Sequence, residues 1–187
     1  MTLYIKNMVC RRCIILIELA LKQLGLVAMT MQLGEIVFDQ ELLPETIDSI
    51  KKALKQYGFE VITDRRSHII EQIKIMSIEY VFQMKNEEKQ CNFSDFIEKG
   101  LLKDYTYLSN LFSEVEGTTI EKHLINLKIE RVKELLTYDE MTLSEIAFDL
   151  GYSSVAYLSN QFKKITGLTP SHFKKIGAEK RKPLDKV

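Results

Sequence analysis

Tyr107-Leu108-Ser109-Asn110-Leu111-Phe112 returns downstream as Tyr157-Leu158-Ser159-Asn160-Gln161-Phe162. Each copy is followed at the same distance by a Gly-x-Thr, Gly117-Thr118-Thr119 and Gly167-Leu168-Thr169. Upstream, Phe93-Ser94-Asp95-Phe96 is echoed by Leu143-Ser144-Glu145-Ile146. Self-similarity over this span means that one supersecondary unit has been used twice.

The second copy shows what the unit is. Thr142-Leu143-Ser144-Glu145 opens a short helix, with Thr142 or Ser144 able to cap it and Glu145 suited to its positive end. Ile146, Ala147 and Leu150 point inward, and the small Ala147 lets another helix come close. Gly151 supplies the tight turn. A second helix begins near Ser153 or Ser154, and on it Leu158, Phe162 and Ile165 recur at core-facing spacing. Ala156, Ser159, Asn160 and Lys163 are then left outside. Short helix, glycine turn and a helix with small polar residues on its outer face describe a helix-turn-helix. Asn bonds adenine in a bidentate manner, Ser reaches several base edges and Ala touches a thymine methyl. Tyr157 can reach a base or a phosphate. Lys163, Lys164, Lys174 and Lys175 suit phosphates, which set affinity rather than sequence preference.

Charge distribution points the same way. The 187 residues carry 26 Lys and Arg against 26 Asp and Glu. Residues 1–66 hold nine cations and eight acids, 67–150 nine and sixteen, and 151–187 eight and two, so the last segment is +6. A basic end seeks phosphates that the neutral chain, on average, would ignore.

Ile146-Ala147-x-x-x-Gly151-Tyr152-Ser153-x-x-x-Tyr157-Leu158-Ser159-x-x-Phe162-Lys163-Lys164-x-x-Gly167-x-Thr169-Pro170-x-x-Phe173-Lys174 resembles the signature of AraC/XylS-type transcription regulators. The resemblance covers about residues 67–178 and includes Lys128-Ile129-x-Arg131-Val132-x-x-Leu135-Leu136 as a linking helix. It implies two helix-turn-helix units reading adjacent major grooves of double-stranded DNA. The implied base readers are Thr106, Ser109 and Asn110 in the first unit and Val155, Ala156, Tyr157, Ser159 and Asn160 in the second. Two departures stand out: Leu101-Leu102 replaces the glycine turn of the first unit, and Ser113-Glu114 stands where the second has Lys163-Lys164. The second unit is therefore expected to dominate electrostatic grip.

The first 66 residues have a different pattern. An apolar run over residues 3–9 reads as a strand, and Cys13, Ile17, Ala20, Leu21 and Leu24 stripe a helix ended by Gly25. Val27, Met29 and Met31 alternate before the turn Leu33-Gly34-Glu35 and the run Ile36-Val37-Phe38, a hairpin signal. Pro44 begins a second helix striped by Ile47, Ile50, Leu54 and Tyr57, and Phe59–Ile62 closes as a strand. The expected order is β-α-β-β-α-β, the split βαβ of ferredoxin-like folds. The fold class is thus α+β, a ferredoxin-like domain over 1–66 and an all-α domain with two helix-turn-helix units over 67–187. The boundary falls near Asp64-Arg65-Arg66-Ser67, followed by a long helix with Ile69, Ile73, Met76 and Tyr80 on one face.

Met8-Val9-Cys10-Arg11-Arg12-Cys13, between the first strand and helix, resembles the Met-x-Cys-x-x-Cys loop of heavy-metal-associated domains. That resemblance, over residues 3–63, implies Cys10 and Cys13 as ligands of a soft ion such as Cu(I). Val9 and the cations Arg11-Arg12 depart from the pattern, because positive charge favours thiolates yet opposes a bound cation. The pair is open to metal binding, to thiol-redox chemistry, and to a structural role in which Cys13 packs in the core of a dimerisation domain. Ile14, Ile15 and Leu16 offer apolar surface to a partner.

Arg11-Arg12 before Cys13–Ile17 resembles the start of an export signal, but Glu18 interrupts the run and no cleavage site follows, so a cytoplasmic location without a membrane span is expected. Cys91 reads as a buried or incidental thiol, and Lys180-Arg181-Lys182 as a solvated basic tail. No phosphate-cradling loop, nucleophile elbow or carboxylate pair marks an enzyme. The reading is a sequence-specific DNA-binding transcription regulator whose N-terminal domain senses a soft metal or thiol signal or forms a homodimer, with RNA polymerase as partner should it activate. The alternative is a soft-metal carrier or thiol-redox protein whose helical half binds protein.

Overall fold

Alternation makes the first strand: Leu3 and Ile5 are buried while Thr2, Tyr4 and Lys6 are not, as a strand covered on one face requires. The computed structural model describes residues 1–62, 64–83 and 92–176. Cys91 and Lys180-Arg181-Lys182 lie outside them. The chain divides into two compact units, Met1–Met76 and Ser77–Val187.

In the first unit β1 (Thr2–Lys6) is followed by α1 (Arg11–Gln23), β2 (Thr30–Gln32), β3 (Glu35–Val37), α2 (Pro44–Lys55) and β4 (Glu60–Ile62). The strands form one sheet in the order β2-β3-β1-β4, and every neighbouring pair is antiparallel. Ile17, Ala20 and Leu21 of α1 and Ile50 and Leu54 of α2 are buried in one cluster with Leu3, Ile5 and Ile36 of the sheet. β1 is shorter than the expected 3–9, because Asn7 turns to a positive φ of 68° and ends the extended run. β2 begins only at Thr30, which leaves Val27 and Met29 exposed outside the strand. Leu24 and Tyr57 lie just past the helix ends and are only partly covered, so the buried part of each stripe closes one turn earlier than the sequence suggests.

The helix α3 (Arg65–Gln83) starts at Arg65, and the division between units falls inside it. Of the expected stripe, Ile69 and Ile73 are buried, and polar residues of α3 meet the sheet beside them. The ring of His68 stacks on Tyr4 at 3.6 Å between centroids, the Asn7 N–H donates to Glu71 Oε1 at 2.8 Å, and Gln72 Nε2 donates to Leu33 O at 3.4 Å. Gly34 lets this happen. It has φ +78°, and a Cβ there would stand 2.7 Å from Gln72 Nε2 and 3.0 Å from Ile75 Cδ1. The polar positions 68, 71 and 72 face the sheet, and hydropathy alone does not see such a face.

The second unit contains α4 (Phe93–Leu101), α5 (Tyr105–Glu116), α6 (Ile120–Tyr138), α7 (Leu143–Asp149), α8 (Val155–Thr166) and α9 (Pro170–Ile176). The long α6 packs against α5, α7, α8 and α9. Leu108 and Phe112 on α5, Leu158 and Phe162 on α8, and Phe173 on α9 are buried beneath the exposed faces of these helices. Fully burying each such side chain contributes about 1.5–3 kcal/mol relative to exposure. Tyr80, at the far end of α3, meets Phe93 and Phe96 of α4 edge-on or tilted. Ile165, expected inward, is 41% exposed, as is its counterpart Val115 at 47%. Both occupy the last turn of their helix, just before the left-handed glycines Gly167 and Gly117. Nothing in the structure explains why that turn is left open.

Candidate nucleic-acid interface

The two repeated helices are started by the same device. Asp104 accepts from the Tyr107 N–H at 3.2 Å, and Ser154 accepts from the Tyr157 N–H at 3.1 Å. Such caps satisfy amide groups that the first helical turn leaves without partners and are worth about 1 kcal/mol each. Both helices end on a left-handed glycine, Gly117 and Gly167. The preceding helix of the second unit is tied by a capping box in which Thr142 and Glu145 each serve the other's backbone amide.

Equal starts place equal positions outward. Thr106, Tyr107 and Asn110 are exposed on α5, as Ala156, Tyr157 and Asn160 are on α8, while Ser109 and Ser159 are half-buried at matching places. Val155, the first residue of α8, is half-buried. Lys163 and Lys164 are exposed in the last turn of α8, where cations also favour the negative helix end. Glu114 is exposed at the position on α5 that Lys164 holds on α8.

Within residues 101–126 there are two Lys and four Asp or Glu, net −2, whereas residues 151–176 hold four Lys and no acid, net +4. The Lys174 ammonium forms an exposed ion pair with Asp139, the left-handed residue that ends α6. Lys175 is exposed beside it.

Sequence reasoning missed what holds α8 in place. Lys128 of α6 donates to the carbonyl of Leu150, at the negative end of α7, at 3.0 Å. Its ammonium also stands 5.5 Å from the ring centroid of Tyr152. The Tyr152 hydroxyl donates to Gln161 Oε1 on α8 at 2.7 Å. Burial pulls the Lys128 ammonium below the ordinary lysine range and pushes the Tyr152 hydroxyl far above the ordinary tyrosine value, with the neighbouring Tyr157 adding to the latter. A lysine inside an otherwise apolar linking-helix stripe was the available signal. In the first unit the turn is made without glycine: Leu102 adopts φ 51°, ψ 44° and is 88% exposed. Glu98 Oε1 accepts from the Tyr105 N–H at 2.6 Å, and the Tyr105 hydroxyl donates to Glu121 of α6.

In the first unit of the chain, Cys10 and Cys13 lie at the start of α1 with their sulfurs 3.4 Å apart. Burial raises the Cys10 thiol pKa, but hydrogen bonds from Cys13 and Arg12 outweigh it and leave the net shift downward. Burial and then the neighbouring Cys10 thiol push Cys13 upward. Among the described residues no third His, Cys, Asp or Glu completes a metal-binding group there. Two thiols alone suit a two-coordinate soft ion. Ile14 and Leu16 pack against the core, while Ile15 and Leu19 are 52% and 53% exposed. No helix among the described residues is long and apolar enough to cross a membrane.

Residues 103–176 match the family of helix-turn-helix domains. The chain is 23% identical over 152 residues to an uncharacterized HTH-type transcriptional regulator, YtdP, of Bacillus subtilis, covering 81% of this chain and 20% of that protein. It is 34% identical over 71 residues to an uncharacterized transcriptional regulatory protein, YesN, of the same organism, covering 37% of this chain and 19% of YesN. The chain thus spans a fifth or less of the length of these curated relatives. Among solved structures, the C-terminal domain of AraT, a response regulator from Geobacillus stearothermophilus, superposes with a TM-score of 0.52 at 22% identity. That match takes in 64% of this chain and 95% of the AraT domain, and is a likeness of fold.

Proposed function

We propose that this protein is a sequence-specific, double-stranded-DNA-binding transcription regulator of the AraC type. In this reading α5 and α8 are the two recognition helices of a DNA-binding domain over residues 67–187. The observation that carries it is the matched exposure of Thr106, Ser109 and Asn110 with Ala156, Ser159 and Asn160 on two identically capped helices. Tyr157 and Val155 flank the second set, and Lys163 and Lys164 meet phosphates on either side of the groove. Lys128, Tyr152 and Gln161 are positioning residues that set the angle of α8 against α6 and α7.

The N-terminal domain is read as a ferredoxin-like, heavy-metal-associated type, supported by the antiparallel order β2-β3-β1-β4. It serves as the sensing part, with Cys10 and Cys13 receiving a soft-metal or thiol signal, and as a homodimer contact through exposed Ile15 and Leu19. Its place is the cytoplasm, and RNA polymerase is its partner where it activates. Binding of the full chain to a mixed pool of duplexes tests the reading: retention that falls steeply with salt and is lost in a Lys163→Ala/Lys164→Ala variant supports it. Retention unaffected by either would refute it.

A further inference from the structure

The turn before α1 does more than hold two cysteines. Cys10 is the N-cap residue, and the Cys13 N–H donates to the Cys10 carbonyl at 2.9 Å, which folds the four-residue loop so that the sulfurs meet at 3.4 Å. The Cys13 thiol in turn donates to the carbonyl of Asn7 at 3.9 Å. Asn7 sits at a positive φ of 68°, in the left-handed region that asparagine enters more readily than most residues, and its neighbours hold it there. What fixes it is on both sides. Its side chain donates to the Gly58 carbonyl at 2.8 Å, and its own N–H donates to Glu71 Oε1 at 2.8 Å. Glu71 is 3% exposed and lies on α3, the helix that runs past Met76 into the second unit. A thiol hydrogen is therefore one link in a chain from the cysteine pair to α3.

We propose that Cys10 and Cys13 are a reversible dithiol–disulfide pair, oxidised by acidic low-molecular-weight disulfides, whose state is reported to α3 through Asn7 and Glu71. The proposal rests on the sensing role given above to the N-terminal domain and names its chemistry. Arg11 and Arg12, both exposed in the first turn of α1, would repel a metal cation but attract a polyanionic disulfide such as glutathione disulfide. In the first step the Cys10 thiolate attacks one sulfur of the small disulfide. That S–S bond breaks, a mixed disulfide forms, and one small thiolate leaves and takes up a proton. In the second, Cys13 gives its proton to solvent and its sulfur attacks the Cys10 sulfur. The protein disulfide forms and the second small thiol departs. The pair loses two electrons and two protons, and one small disulfide becomes two thiols. Cys13 then has no hydrogen to offer Asn7, so the Asn7 turn and its bond to Glu71 lose a support.

The test uses the full chain with Cys91→Ser, so that the pair supplies all its thiols, equilibrated in buffers of glutathione and glutathione disulfide and then alkylated. The expected result is simultaneous loss of both free thiols, recovery of a Cys10–Cys13 disulfide peptide, and return of both thiols on adding dithiothreitol. Cys13→Ser should stall as a glutathione mixed disulfide on Cys10. Amide exchange, which reads local opening, should become faster in the oxidised protein at Asn7 and through residues 66–76. Stable mixed disulfide on the unsubstituted pair, cross-linked chains, or a Cys10–Cys13 disulfide with α3 exchange unchanged would overturn the proposal. Duplex binding by the reduced and oxidised forms keeps the two readings apart. A chain that forms the disulfide and loosens α3 but binds no DNA in either state upholds this proposal and sinks the DNA-binding one.

Discussion

Removing Lys163 separates the roles of the two recognition helices. Lys163 and Ser113 occupy matching positions in the last turns of α8 and α5. Each phosphate neutralised by a cation steepens the dependence of log K on log salt by about 0.9. If Lys163 neutralises one phosphate, Lys163→Ala flattens that slope by about 0.9, so that the loss of affinity between 0.05 and 0.2 M salt shrinks about 3.5-fold, and at 0.1 M salt binding weakens about eightfold. Ser113→Ala removes no charge and leaves the slope unchanged. Glu114→Lys, which gives α5 the cation that α8 carries as Lys164, should steepen the slope by up to about 0.9. Lys163 is exposed, so its loss costs the fold only the helix-end charge effect of about 0.3–1 kcal/mol, which a melting curve on the same samples monitors. Fluorescence anisotropy with a labelled duplex across a salt series reads the slope. Equal slope changes from Lys163→Ala and Ser113→Ala would refute the asymmetry between the two units.

Three further perturbations address the scaffold. Gly34→Ala forces a left-handed non-glycine residue against Gln72 and Ile75, and should destabilise the first unit by about 1–3 kcal/mol in urea unfolding; no loss would show that α3 does not approach the hairpin closely. Leu102→Gly relieves a strained left-handed residue that buries almost nothing, and should raise the stability of the second unit by up to about 1 kcal/mol, the relief of about 1–2 being offset by the greater freedom of glycine in the unfolded chain; destabilisation would mean that the leucine side chain has a packing role. Burial holds the His68 imidazole below its ordinary value of 6.5, so the unfolded chain takes up that proton first and stability should fall as pH drops below 6.5, until the folded value is passed. His68→Phe keeps the stack on Tyr4 and should remove that part of the pH dependence; an unchanged profile would contradict the assignment.

The parts legible in the sequence are those where side-chain type and spacing act locally. The duplicated Tyr-Leu-Ser-Asn stretch shows α5 and α8, because Leu108 and Phe112, like Leu158 and Phe162, sit one turn apart and are all buried. The start of α7 was legible for the same reason, with Thr142 or Ser144 open as its cap; the structure uses Thr142, with Glu145 closing the box. Contacts between distant polar residues were not. Nothing local marks His68, Glu71 and Gln72 as residues that meet the sheet and its loops, because the apolar stripe through Ile69 and Ile73 carries the whole hydropathy signal. The sequence placed Lys128 on the linking helix but gave no sign of its partners, the end of α7 and the ring of Tyr152, which lie more than twenty residues away. Lys174 illustrates the limit of charge reading: its partner Asp139 is far away in sequence, so its charge looked uncommitted. Leu102 shows a turn made without the residue that usually announces it.

The account depends above all on α5 and α8 both entering the grooves of one duplex. Selection of duplexes from a randomised pool by the full chain, followed by repeating the selection with Asn110→Ala and with Asn160→Ala, examines this directly. The expected outcome is a site with two blocks of base preference about one helical turn, or roughly 10 bp, apart, with each variant losing preference in one block only. A single block, or loss of the same block in both variants, would contradict it.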